Sequence, residues 1–221
     1  MTPIVIDYET FYDKDNGPSA STQGTYNYVH DPRSYAYIMS VHSEDLRWVG
    51  TVDDALKHPV VSSESFWKNR QLWAAHSNFD AEWSGRYFPA AVGTNWKCVL
   101  DLGATEQLPH NLAGMCQVKF GVKADKSLRD WMNRKHWGDL DAERKAEMLR
   151  YCAEDARLEY ELIKKLSTPS ATEQALAEHT RMINRRGVRI NVALAETFVE
   201  RLKQSVHEAH LQLPWREADA P

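Results

Sequence analysis

The sequence predicts an α/β fold, a mixed sheet flanked by helices, with a helical appendage over residues 169–221. Three observations carry this. Short β-forming runs alternate with helical patterns through residues 1–168. One long helical stretch, Asp141 to Leu166, is apolar on two nearly opposite sides, as a helix wedged between layers must be. Beyond Pro169 the main patterns are helical. With 221 residues, 43% of them hydrophobic, the chain can bury the core of one ordinary domain and still carry a small appendage.

The first strand is Ile4-Val5-Ile6-Asp7-Tyr8-Glu9-Thr10, where three apolar β-formers lead into two carboxylates two residues apart. Strand alternation aims Asp7 and Glu9 at one face. Like charges there repel unless a cation or an arginine sits between them; otherwise the pair marks where the strand emerges into water. Phe11 to Gln23 reads as a long functional loop, rich in Asp, Asn, Gly, Pro and Ser. Tyr35 to His42 and Leu46 to Thr51 form a strand pair around Ser43-Glu44-Asp45. Short helices follow at Asp53 to His58 and Ser63 to Arg70.

Gln71 to Ala75 is a further strand, and helical spacing resumes from Phe79 to Phe88. This sets Asp80 at a strand-to-helix junction, where α/β folds place their chemistry. Trp96 to Leu100 reads as a strand, with helices at Leu102 to Gln107 and Asn111 to Lys119. Lys119, Lys123, Lys126, Arg129, Arg134, Lys135 and His136 then concentrate positive charge, either as a solvated helical face or as a phosphate-binding one. In the long helix, winding at about 100° per residue gathers Leu149, Cys152, Ala153, Ala156, Tyr160 and Ile163 on one stripe. Tyr151, Asp155, Leu158 and Leu162 lie on the other, so Asp155 is not a freely solvated charge. After Pro169, Ser170 to Glu173 is a capping box, Gly187 suits a left-handed helix end, Val188 to Ile190 is extended, and Asn191 caps a last helix reaching toward Leu213. Pro214 to Pro221 has no packing pattern and is expected to fray.

A net charge of −4 excludes a global basic field, so any polyanion site is local. Cys98, Cys116 and Cys152 lack the paired spacing of a zinc site or disulfide framework and are expected as reduced, buried thiols. No basic leader is present, and no apolar run approaches the roughly 20 residues that span a bilayer, so the expectation is a soluble, cytoplasmic protein.

The residues able to carry chemistry are therefore Asp7, Glu9, Asp80, Tyr151 and Asp155. Tyr151 and Asp155 are four apart and share a helix face. Four carboxylates in one cleft raise one another's pKa unless divalent cations offset them, and an all-oxygen set favours Mg²⁺ or Mn²⁺ over zinc.

Asp7-x-Glu9, Asn78-Phe79-Asp80 and Tyr151-x-x-x-Asp155, in that order on those elements, resemble the three exonuclease motifs of the DEDD superfamily, tyrosine subtype. The sequence is most similar to the 3′→5′ proofreading domain at the N-terminus of phage family A DNA polymerases. Tyr151 to Ala156 is the most specific stretch. Gly24 to Tyr28 with Asp31-Pro32 is similar to the passage after the first motif, and Arg186 to Asn191 between two helices resembles the way such enzymes lead into the polymerase domain. In the second motif His76 stands where the family usually has asparagine, and Asn78 immediately precedes Phe79.

The resemblance implies a ribonuclease H-like sheet, an exonuclease domain over 1–168, and hydrolysis of DNA from single-stranded or frayed 3′ ends to nucleoside 5′-monophosphates with two Mg²⁺ or Mn²⁺ ions. It implies a polymerase domain, in the same chain or in trans, as partner. Asp7 would bridge the ions, Glu9 and Asp155 would hold the ion carrying the attacking water, Asp80 would support the second through water, and Tyr151 would orient the water. Phe11, Tyr12 and Phe79 flank the carboxylates as stacking surfaces for terminal bases, Phe79 being equally suited to core packing. His76, Asn78, Lys126 and Arg129 complete the expected nucleic-acid contacts. Two other readings stand beside this: an exoribonuclease on the same fold, and a catalytically silent nucleic-acid-binding module.

Overall fold

The computed structural model describes residues 2–68, 70–93, 96–122 and 127–213. Lys123, Lys126 and the Pro214 to Pro221 tail lie outside the described residues. The chain forms two compact units, Met1–Arg181 and Met182–Pro221.

The first unit contains a five-stranded sheet in the order β3-β2-β1-β4-β5, formed by β1 (Pro3–Thr10), β2 (Ala36–His42), β3 (Arg47–Thr51), β4 (Gln71–Ala74) and β5 (Trp96–Cys98). β1 is central, antiparallel to β2 and parallel to β4. The first three strands run antiparallel as neighbours, and β4 and β5 add in parallel; this is the ribonuclease H-like mixed sheet that the sequence predicts. Around it lie short helices α1 (Ala20–Gln23), α2 (Thr25–His30), α3 (Val52–Ala55) and α4 (Glu64–Lys68), then α5 (Ser77–Tyr87), α6 (Val99–Thr105), α7 (Leu112–Phe120), α8 (Ser127–Trp131) and the long α9 (Ala142–Lys165).

The alternation along β1 decides what each face meets. Ile4, Ile6 and Tyr8 enter one apolar cluster with Tyr28, Trp67 and Trp83, and the Tyr8 hydroxyl lies 3.1 Å from Ser84 Oγ on α5. Val5 enters a second cluster with Ala156, Leu158 and Leu162 of α9. Ala156 and Cys152 are small enough to let α9 approach β1 and β2 closely, and Ser40 Oγ donates to the Cys152 carbonyl at 3.1 Å. Asp141 caps α9 by accepting from the Arg144 amide, as the residue type suggests.

Several local expectations shift by an element. Thr25 to Tyr28, given no element by the sequence, opens α2 with Gly24 at its N-cap; Tyr28 and Val29 are buried there, and the Tyr28 hydroxyl donates to Thr10 Oγ1 at 2.8 Å. The Phe11 to Gln23 loop ends in the single turn α1 and is held by Asp13, whose carboxylate accepts from the Asp15 and Asn16 amides. β5 stops at Cys98, since buried Val99, Leu100 and Leu102 satisfy helical spacing better than strand alternation.

The Ser170–Glu173 capping box opens α10 (Ala171–Arg186), and the unit boundary falls inside this helix. On the first-unit side, Arg181 pairs with Asp101 and Lys97 with Glu178. In the second unit Gly187 adopts φ +70°, the left-handed conformation for which glycine carries no Cβ penalty, and donates to the Ile183 carbonyl. Asn191 then caps α11 (Val192–Gln212) through the Leu194 amide. Among the described residues no helix is long and apolar enough to cross a membrane.

Candidate active site

The pairing of β1 with β4 ends at Val5 opposite Trp73, whereas β1 runs on to Thr10. Asp7 and Glu9 therefore lie beyond the point where β4 turns into α5, on the side of β1 that faces α9. α5 begins there with Asp80 in its first turn, and α9 crosses the same end of the sheet with Tyr151 and Asp155. Three elements far apart in sequence thus deliver carboxylates to one place, at the carboxyl ends of the parallel strands, where open α/β sheets keep their crevice.

Asp7 and Glu9 each offer an oxygen within 4.8 Å of the other and of Cys152 Sγ. Asp80 is only 4% exposed and Asp155 7%. Burial, then the charge of Asp7, raises the Asp80 carboxyl well above the ordinary carboxylate range, with the Tyr8 and Asp80 amides working the other way. One Asp80 oxygen, Oδ1, is buried without a hydrogen bond. Burial, followed by the charges of Asp155, Glu9 and Asp7, pushes the Tyr151 phenol far up, so it stands as a proton donor. The charges that act on Asp80 and Tyr151 come from Asp7, Glu9 and Asp155 themselves.

Two further residues belong to this arrangement: Cys152, expected from the sequence only as a reduced, buried thiol on the other stripe of the helix, and Glu159, which the sequence reading did not name. The Cys152 thiol donates to Asp7 Oδ2 at 3.3 Å, and burial, Asp7 and Glu9 keep it protonated, so it serves as a donor and not as a thiolate ligand. Glu159, on α9, is fully buried with both carboxyl oxygens unpartnered, and it feels Asp7, Asp80 and Asp155. The available signal was spacing: Tyr151, Asp155 and Glu159 follow at four-residue intervals on one helix face.

The expected nucleic-acid residues fare differently. Phe11 is packed although it opens the loop: it lies in a core cluster with Tyr37, Ile38 and Leu128 and stacks on His136 at 4.2 Å and on Tyr35 at 5.6 Å. Phe79 is half-buried against Tyr28 and Trp83. Tyr12 is half-buried, donates to the Arg129 carbonyl, and is close enough to Glu9 to feel its charge. Arg129 is exposed on α8 beside Asp130. His76 is exposed at the α5 N-terminus near His110, and Asn78 is half-buried in the first turn.

A pH experiment reads the buried cluster directly. Because the folded Asp80 carboxyl lies above its unfolded value near 3.8, its stabilising contribution is complete below that pH and is lost as pH rises through the folded value. Glu106 acts oppositely: Lys119 and Ser167 hold it at about 2, so its contribution is present above about pH 4.5 and lost as pH falls. His42, lowered by burial and Arg47, also favours the higher pH, up to about 6.5. Both cancel when the metal-free protein is compared with Asp80→Asn. The wild-type melting temperature is expected to drop relative to the variant as pH climbs from 4 to 8, and a constant difference would show that the Asp80 carboxyl is unperturbed.

No protein-family model matches the chain, and no curated protein matches its sequence. Solved structures do. The catalytic core of RRP6 from Trypanosoma brucei, mutant C496S, superposes with a TM-score of 0.51 at 15% identity, over 83% of this chain and 46% of that one. The Aedes aegypti Nibbler EXO domain gives 0.48 at 14% identity, over 74% and 78% of the two chains. Escherichia coli RNase D, described as an exoribonuclease involved in structured RNA processing, gives 0.45 at 14%, over 84% and 46%. This chain thus spans less than half of the RRP6 core, and what the two share is the fold.

Proposed function

We propose that this chain is a metal-dependent 3′→5′ exonuclease that hydrolyses DNA, preferably single-stranded 3′ ends, to nucleoside 5′-monophosphates. The observation that carries the reading is the closeness of the Asp7 and Glu9 oxygens on β1, with Asp80 of α5 within reach of the Asp7 charge and Tyr151 of α9 within reach of Asp155, Glu9 and Asp7. The motif order set out above and the fold shared with the RRP6 core support it. Residues 1–168 contain every side chain assigned to the chemistry, and 169–221 remain a helical appendage to it.

The site fits divalent cations. Its donors are carboxylate oxygens, the one nearby sulfur is a protonated thiol, and a buried Asp80 oxygen lacks a partner. Asp7, Glu9, Asp80 and Asp155 would hold Mg²⁺ or Mn²⁺ ions, which supply charge stabilisation for an in-line displacement at phosphorus. The chain's own residues supply the rest. Tyr151, as a protonated phenol, donates a hydrogen bond that orients the attacking water or the scissile phosphate, and Cys152 steadies the Asp7 carboxylate by donating to it. The contacts proposed for the strand are Phe11, Tyr12, His76, Asn78, Phe79, Lys126 and Arg129, of which Phe11 is packed in a core cluster.

Tyr151→Phe removes the donor and leaves the carboxylates, so a residual activity of roughly one part in 10² to 10⁴ is expected. Wild-type turnover in this variant would remove Tyr151 from the chemistry. Incubating end-labelled DNA and matched RNA single strands with Mg²⁺ or Mn²⁺ tests the function itself. Release of mononucleotides from the DNA 3′ end supports the proposal, preference for RNA moves it to an exoribonuclease, and no release from either polymer leaves a binding module.

A further inference from the structure

We infer that Glu159 is a fifth carboxylate of the cation site, contributing from one helical turn beyond Asp155 on the buried side of Asp7 and Asp80. The inference rests on the metal-dependent reading above and goes beyond its motifs, which end at Asp155.

Four observations carry it. Glu159 is 0% exposed, yet neither carboxyl oxygen has a hydrogen-bond partner; the Ala75 amide bears on it without completing a bond. Leaving even a neutral buried polar group unsatisfied costs about 1–3 kcal/mol, and a carboxyl of the core would ordinarily be paired. The side chain shares its helix face with Asp155 at a spacing of four, and α9 lays that face against β1, the strand that carries Asp7 and Glu9. Finally, Glu159 lies within reach of the charges of Asp7, Asp80 and Asp155.

Taken as core packing, Glu159 is a poor choice: leucine or methionine would fill the space without an orphaned polar group. Taken as part of the cation site, the same oxygens find their partner in the ion or its bound water, as does the orphaned Asp80 Oδ1. Glu159 is fully enclosed, so its part is to hold the cation and orient the Asp80 and Asp155 carboxylates.

The test is Mn²⁺ binding by titration calorimetry, together with the Mn²⁺-induced rise in melting temperature, on wild type, Glu159→Gln, Glu159→Leu and Asp155→Asn. Glu159→Gln keeps the shape and removes the charge. It is expected to weaken Mn²⁺ binding at least about tenfold and shrink the thermal shift, with a metal-free melting temperature equal to or above that of wild type. Glu159→Leu should raise metal-free stability further and lose most of the Mn²⁺ response. Wild-type Mn²⁺ affinity and stoichiometry in either folded variant would overturn the inference, as would loss of metal-free stability in both. If Asp155→Asn loses Mn²⁺ while Glu159→Gln binds like wild type, this inference alone fails. If wild type itself binds no Mn²⁺, the metal-dependent reading fails with it.

Discussion

Asp7→Asn is expected to reduce mononucleotide release from a 3′ end by on the order of 10³-fold or more while leaving the fold intact. Asp7 lies within 4.8 Å of Glu9, accepts from Cys152, and acts on Asp80, Tyr151 and Glu159. Removing a carboxylate that binds cations forfeits several kcal/mol of charge stabilisation in the transition state, and each 1.36 kcal/mol is about a factor of ten in rate. The same change relieves repulsion in the metal-free protein, so its melting temperature should hold or rise. Steady-state kinetics on end-labelled DNA, with circular dichroism on the same sample, separates the two effects. Undiminished turnover in a folded Asp7→Asn protein would remove the carboxylate cluster from the chemistry.

Trp83→Ala is expected to destabilise the first unit by about 3–5 kcal/mol, a large part of a typical total of about 5–15 kcal/mol. Trp83 is fully buried, packs edge-on to Tyr28 with ring centroids 5.7 Å apart, and lies under the Arg86 guanidinium at 5.3 Å. It sits one helical turn beyond Asp80 on α5, so loosening it releases the helix that presents that carboxylate. Its indole nitrogen is buried without a partner, and Trp83→Phe, which removes that orphan while keeping a ring, should cost much less. Urea unfolding midpoints of the two variants decide it. An alanine variant within about 1 kcal/mol of wild type would mean that α5 docks without this side chain.

Much of the site was legible because its placement is a matter of local periodicity. A period of two put Asp7 and Glu9 on one face of β1, and the structure keeps their oxygens within 4.8 Å of each other. A spacing of four put Tyr151 on the same face as Asp155, and Asp155 is the charge that acts most on its phenol. The long helix, the capping box at Ser170 and the left-handed glycine at 187 likewise depend on neighbours a few residues away. Phe11 shows the limit. Its sequence neighbours are polar and suggest exposure, but Tyr35 and His136, more than twenty and more than a hundred residues distant, close over its faces.

Sequence by itself therefore determined the alternation of strands and helices, the caps, and which acidic side chains share a face within one element, because backbone geometry repeats over two or four residues and needs no partner. Only the tertiary structure decided that β1 outruns β4 so that α5 and α9 can bring Asp80 and Asp155 beside Asp7, that the Cys152 thiol points at Asp7, and that Glu159 is enclosed with its oxygens unmatched. Burial and electrostatic coupling belong to what surrounds a side chain in space, and those surroundings come from strands and helices assembled across most of the chain's length.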